Sequence, residues 1–233
     1  MKILGLIPAR GGSKGIANKN RKLLGGKPLL SYTIEAALNA TSLDSVVFSS
    51  EDSKLINLAK DLGVEVPFVR PQELATDTAG SLEVVQHAVK ALAKLDRHYD
   101  AVCLLQVTSP FRTHQDIDKA ITTFKNSQTD SLLSVQEVPH QYNPHWVFEK
   151  NEMGNLVIAT KDAQIIKRRQ DLPPAYIRDG AIYITKTEVL LDRNSFYGTS
   201  TSYIVSNPET YVNIDTEQDW ERAEQLLANL NMF

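Results

Sequence analysis

The chain is poor in cysteine. Its 233 residues include one, Cys103, so no internal disulfide can form and a reducing compartment is expected. Cys103 sits in the apolar run from Ala101 to Leu105, where a buried small hydrophobe is the expected role. No Cys/His cluster stands at metal-ligand spacing. There is no surplus of positive charge: 25 Lys and Arg face 28 Asp and Glu, for a net charge of −3. That argues against a protein whose main task is to hold nucleic acid. No apolar run approaches the ~20 residues that span a bilayer. The N-terminus lacks a signal-peptide pattern, so no membrane partner and a cytoplasmic location are expected. Repeats and low-complexity segments are also absent.

What remains is an ordinary globular composition, 42% apolar and 23% charged, at a length that suits a single domain over 1–233 carrying one insertion. Short apolar runs at 2–8, 45–49, 64–70, 101–106 and 130–138 read as strands. Amphipathic stretches at 28–39, 53–62, 81–95 and 114–126 read as the helices between them. The alternation predicts an α/β three-layer sandwich, with ligands at the carboxyl ends of the strands. From 139 to 175 the pattern changes, and two apolar runs around a polar turn predict a hairpin that projects from the sandwich. The runs 181–184 and 201–206 return to strand, 211–215 is extended, and 217–229 is a final helix.

The chemistry-bearing signals begin straight after the first strand. Ala9-Arg10-Gly11-Gly12-Ser13-Lys14-Gly15 with Lys19-Asn20 is a glycine-rich basic loop, of the kind that turns backbone N–H groups and positive charge toward a phosphate. It contains neither the dinucleotide fingerprint nor the P-loop pattern, which disfavours a nicotinamide-dependent oxidoreductase. Arg10, Lys14 and Lys19 are expected around a triphosphate, with Gly11, Gly12 and Gly15 permitting close approach. Gln106 leaves the fourth strand at the ligand-bearing edge, Thr108 and Ser109 offer hydroxyls, and Arg112 can pair with a carboxylate or phosphate. Arg70-Pro71 follows the third strand. The run Lys167-Arg168-Arg169 can neutralise charge developing on phosphate. Asn213 and Asp215 share one face of an extended segment, and such a pair can hold Mg²⁺ together with phosphate oxygens. Asp219 and Glu217 read as first-turn helix carboxylates.

Taken together, Ile7-Pro8-Ala9-Arg10-Gly11-Gly12-Ser13-Lys14-Gly15 with Lys19-Asn20, Arg70-Pro71 with Ser81, Leu104-Leu105-Gln106 with Thr108-Ser109-Pro110, Arg168-Arg169-Gln170-Asp171, Asp179-Gly180-Ala181-Ile182-Tyr183 and Ile214-Asp215 resemble the CMP-sialic acid synthetases, the N-acylneuraminate cytidylyltransferases. The resemblance runs in order along essentially the whole chain. It implies a Rossmann-like three-layer α/β/α nucleotidyltransferase sandwich whose protruding element, at 139–175, is a dimerisation arm, and so a homodimer. It implies transfer of CMP from CTP to the anomeric hydroxyl of a nine-carbon 2-keto sugar acid, with Mg²⁺ as cofactor and pyrophosphate as product. Carried over by position, Ala9, Arg10, Gly11, Gly12, Ser13, Asn20, Arg70 and Ser81 hold the nucleotide. Arg10, Lys19, Arg168 and Arg169 assist catalysis. Gln106, Thr108, Ser109, Arg112 and Tyr183 line the acid site, and Asp215 with Asn213 holds the metal. Two positions depart from the family pattern: Asn213 where Asp is usual, and Asp179 where Asn is common. Asp215 is therefore the stronger metal ligand, and Asp179 is expected to alter sugar contacts. Legionaminic, pseudaminic and Kdo-type acids are alternative substrates, and a non-catalytic nucleotide- or sugar-binding homologue is the alternative of another class. None of His87, His98, His114, His140 and His145 is placed as a base.

Overall fold

A computed structural model of the chain describes residues 1–13 and 15–230. Lys14, one of the expected triphosphate contacts, lies outside the described residues. The strands are β1 (Ile3–Pro8), β2 (Leu23–Leu24), β3 (Lys27–Pro28), β4 (Ser45–Ser49), β5 (Ala101–Leu105), β6 (Ser131–Glu137), β7 (Phe148–Lys150), β8 (Leu156–Ile158), β9 (Tyr176–Lys186) and β10 (Thr201–Val205). The α-helices are α1 (Leu29–Asn39), α2 (Ser53–Asp61), α3 (Ser81–Ala93), α4 (His114–Ser127), α5 (Thr187–Asp192) and α6 (Glu217–Leu230).

Six strands form the central sheet in the order β10-β6-β9-β5-β1-β4. The pairs β1–β4, β1–β5 and β10–β6 are parallel, whereas β9 runs antiparallel to both β5 and β6. Strand alternation divides the side chains between two cores. Ile3 and Ile7 of β1, with Ala101, Cys103 and Leu105 of β5, face α1, α2, α4 and α6. Leu4, Leu6, Val102 and Leu104 face α3 and α5. Near-continuous apolar strands of this kind belong between two helical layers, so the expected α/β/α sandwich is found. Cys103 is fully buried, and burial pushes its thiol up to about 12, which matches its reading as a core hydrophobe.

The helices begin and end where local chemistry says they should. Asp52 caps α2 by accepting the Leu55 N–H at 2.8 Å, and Gly63 at φ +86° follows its end. Thr113 and Asp116 form a reciprocal capping box on α4. Thr216 and Asp219 exchange the same two bonds at α6, which bears out the capping role of Asp219. Two expectations are corrected. Residues 64–70 form a single bridge, Val47 to Glu65, rather than a strand; Pro67 has no N–H to continue a ladder. The strand expected at 181–184 extends back to Tyr176 through Asp179 and Gly180, with a register shift against β6 between Leu133 and Val135. The predicted hairpin at 139–175 is present as β7–β8, a two-stranded sheet separate from the central one.

Candidate functional site

Because β1 and β5 are parallel neighbours, their carboxyl ends open on the same edge of the sheet. Pro8 and Ala9 leave one strand there, and Gln106, Val107 and Thr108 leave the other. They line a cleft of ≈ 430 Å³ together with Arg10, Gly12, Ser13, Gly15, Lys19, Asn20 and Asp215. The cleft thus gathers the glycine loop, the end of the central strand and the segment before α6, three stretches far apart in sequence.

The loop is tied down by side chains from other segments. The Ala9 N–H continues toward Ser49 O at 3.1 Å. Arg70 donates to the Ala9 carbonyl, Asn20 Nδ2 donates to the Arg10 carbonyl at 3.0 Å, and the Gly11 N–H donates to Glu51 Oε1 at 2.7 Å. The second oxygen of Glu51 pairs with Arg70 Nη2 at 2.7 Å, and the two side chains are 9% and 4% exposed. Breaking one partner of so buried a pair costs about 3–5 kcal/mol. A Cβ on Gly11 would collide with the Asp52 carboxylate, so glycine is needed there for close packing on α2. Of the backbone donors in the loop, the Gly11 N–H is thus taken by Glu51.

The working cations are also held. Arg10 Nη1 lies 2.7 Å from Asp77 Oδ1 on the 72–80 loop, which makes that loop a lip of the cleft. Lys19 Nζ donates to Ile214 O at 2.6 Å and to Asp215 Oδ1 at 3.0 Å. Asn213 Nδ2 donates to the other Asp215 oxygen at 2.7 Å. Gly15 packs so tightly on this segment that a Cβ would collide with the Asp215 carbonyl. The positive-φ Gly180 brings the backbone of β9 close to Gln106 Oε1 and Asn213 Oδ1. Asp215 and Asn213 offer hard oxygen donors, one of them charged. Among the described residues no group of three or more His, Cys, Asp or Glu side chains converges to hold a metal ion. The donor set therefore fits Mg²⁺, which keeps water and phosphate ligands, and not a metal caged by protein alone.

Several expected site residues lie elsewhere. Arg70 is under the loop, not in the cleft. Arg112 is buried outside the cleft lining, donating Nη1 to Gln106 O at 3.2 Å and to Ala181 O at 2.6 Å. Burial lowers its guanidinium to about 10. Ser109 is buried beside it, both lining a small separate cavity. Tyr183 belongs to the core facing α3 and α5, where burial raises its phenol. Ser81 is exposed in the first turn of α3, outside the cleft lining. Arg168 is exposed and forks onto Asp171 at 2.7 and 3.1 Å. Arg169 lines a different cavity of ≈ 540 Å³ at the root of the arm, with His140, Asn143, Pro173 and Pro174. One chain does not bring these two arginines to the cleft. Asp179 is buried and accepts from Ser134, Ser206 and the Ala181 N–H, so it joins β6, β9 and the turn after β10 rather than reaching a sugar. Sequence reasoning assigns no contact to Glu51, although it stands at the carboxyl end of a buried strand. It places Asp77 on the loop after Arg70-Pro71, and Gly180 in the Asp179-to-Tyr183 motif, without giving either a partner.

A family model described as Cytidylyltransferase matches residues 4–233. The chain is 35% identical over 230 residues to the CMP-N,N'-diacetyllegionaminic acid synthase of Legionella pneumophila, with 97% of each chain covered. It is 38% identical over 226 residues to the pseudaminic acid cytidylyltransferase of Campylobacter jejuni, covering 97% of this chain and 96% of the relative. The solved structure of a CMP:2-keto-3-deoxy-manno-octonic acid synthetase complexed with CTP superposes with a TM-score of 0.72, over 98% of this chain and 99% of that one, at 15% identity. At that identity the likeness concerns the fold alone, and it is the same layered α/β fold.

Proposed function

The chain belongs to the cytidylyltransferase family, and from that premise we propose that it transfers CMP from CTP to the anomeric hydroxyl of a nonulosonic acid and releases pyrophosphate. The observation that carries the reading is the cleft where Arg10, Lys19 and Asp215 meet the glycine loop and the carboxyl ends of β1 and β5. In this reading legionaminic- and pseudaminic-type acids come ahead of the sialic-type acid, supported by the names of the two relatives. A cytoplasmic site of action and a homodimer are part of the same reading. The dimer rests on the arm, where Met153 is 81% and Leu156 71% exposed beside the exposed Phe148 and Val157; apolar side chains grouped in this way need a partner surface.

In the reaction, the sugar hydroxyl oxygen bonds to the α-phosphorus of CTP while the bond to the bridging oxygen of pyrophosphate breaks in line. The hydroxyl proton passes to solvent. Positioning and charge neutralisation carry most of such a transfer. Arg10 and Lys19 exchange their present carboxylate partners for phosphate oxygens, and Gly12 and Ser13 border the phosphates. Gln106 and Thr108 face the acid. Asp215, helped by the Asn213 carbonyl, would hold Mg²⁺, which when bound supplies positive charge to the phosphate oxygens. The arm cations Arg168 and Arg169 belong to this reading as residues acting across the dimer.

The test is a panel of CTP, UTP and GTP against legionaminic, pseudaminic, N-acylneuraminic and Kdo-type acids, with and without Mg²⁺, scored by pyrophosphate. CTP with a nonulosonic acid is the expected productive pair. No turnover with any pair would sink the enzyme reading and favour a nucleotide- or sugar-binding homologue.

A further inference from the structure

We propose that Glu51 is a positioning residue for the phosphate loop, acting through Gly11 and Arg70 to set the direction in which the Arg10 side chain leaves the backbone. Residue 10 is flanked by two peptide planes, and both are held. The plane between residues 9 and 10 is held at its carbonyl by Arg70. The plane between residues 10 and 11 is held at both ends, its carbonyl by Asn20 and its N–H by Glu51. The described peptide bonds are trans, so carbonyl and N–H point in opposite directions from one plane. With both planes fixed, φ and ψ of Arg10 are fixed, and so is its Cα–Cβ vector.

Glu51 reaches both planes with one carboxylate. Oε1 takes the Gly11 N–H directly, and Oε2 takes Arg70, which carries the hold on to Ala9. At 9% exposure the carboxylate is covered by the loop, so it orients the cleft without entering it. Its charge would repel a phosphate above it were it not neutralised by Arg70, which gives that buried arginine its role. No amide can do the same work. A glutamine offers one acceptor oxygen and must turn its NH₂ toward either the Gly11 N–H or the Arg70 guanidinium, both of them donors.

The activity readout rests on the nucleotide-transfer reading, and the test is arranged to separate the two. Glu51→Gln is made alone and in an Arg10→Ala background, and kcat and KM for CTP are measured on folded protein. If Glu51 acts through Arg10, Glu51→Gln lowers kcat at least tenfold in the native background, with a smaller change in KM, and costs less than twofold further where Arg10 is already gone. Equal losses in both backgrounds, or an unchanged kcat, overturn the proposal. Should Glu51→Gln fail to fold, the double variant Glu51→Leu/Arg70→Met removes both charges together and is read in the same way. If the native protein turns over no CTP, the functional reading fails by itself. Amide hydrogen exchange at Gly11 in the substrate-free protein then decides: faster exchange in the variant supports the pin, and an unchanged rate overturns it.

Discussion

Replacing Gly15 by alanine puts a methyl group where the Asp215 carbonyl already stands. The obstacle is backbone on both sides, so no side chain can swing away to make room. The loop and the segment before α6 must part by roughly an ångström or more to recover an ordinary contact. That separation acts on the Lys19 bonds to Ile214 O and Asp215 Oδ1, now 2.6 and 3.0 Å. Overpacking of this kind costs about 1–3 kcal/mol, which at about 2–4 °C per kcal/mol for a chain of this size lowers Tm by about 2–12 °C. Misplacing reacting groups by ~1 Å costs on the order of a hundredfold in rate. Pyrophosphate release at saturating CTP and sugar acid should fall accordingly, and differential scanning fluorimetry should show the lowered Tm. A methyl group added at Gly12, in the same loop, would meet nothing within 4 Å, so Gly12→Ala serves as the stability control and should leave Tm unchanged. Near-native Tm and turnover in Gly15→Ala would refute the close approach and the argument built on it.

Arg10→Ala should lower turnover by roughly a hundredfold, the loss expected for a major electrostatic stabiliser; near-native CTP turnover would remove Arg10 from the mechanism. Asn213→Asp adds a second carboxylate beside Asp215 and should lower the Mg²⁺ concentration needed for half-maximal activity, a shift read by metal titration. Asp130 accepts from the Thr199 N–H and hydroxyl and pairs with Lys186, which together hold its carboxyl down to about 2. That lies below the unfolded value of about 3.9. Its contribution to stability is therefore complete above about pH 4 and disappears as pH falls through about 2. Asp130→Asn should lower Tm at neutral pH, with the gap to the native protein closing across that window. Changing Met153 and Leu156 of the arm to lysine should shift sedimentation from dimer to monomer, and an unchanged sedimentation coefficient would count against the arm as the interface.

The fold was legible wherever a local pattern decided the structure. The apolar runs of β1 and β5, the first-turn carboxylate Asp219 and the polar turn of the arm each satisfy local hydrogen bonding or burial. Their positions follow from a few neighbouring residues. Residues 64–70 misled because apolar content suggested a strand, whereas Pro67 and the sheet edge at β4 allow one bridge. The site was less legible. Arg10, Arg70 and Arg112 are the same residue type near glycine or proline in sequence. One reaches into the cleft, one neutralises a buried glutamate, and one braces the carbonyls of Gln106 and Ala181.

By itself, then, the amino-acid sequence determined the alternating layers, the basic glycine loop and, at the level of the cytidylyltransferases, the family, because these are properties of contiguous residues. Only the tertiary structure decided which charges meet. Lys19 and Asp215 are 196 positions apart and touch at 3.0 Å, and Gly11 meets Glu51 across 40 positions. Hydrogen bonds and close packing act over a few ångströms in space and take no account of separation along the chain. The partners of a charge, and hence its task, are set when the sheet brings distant strand ends to one edge.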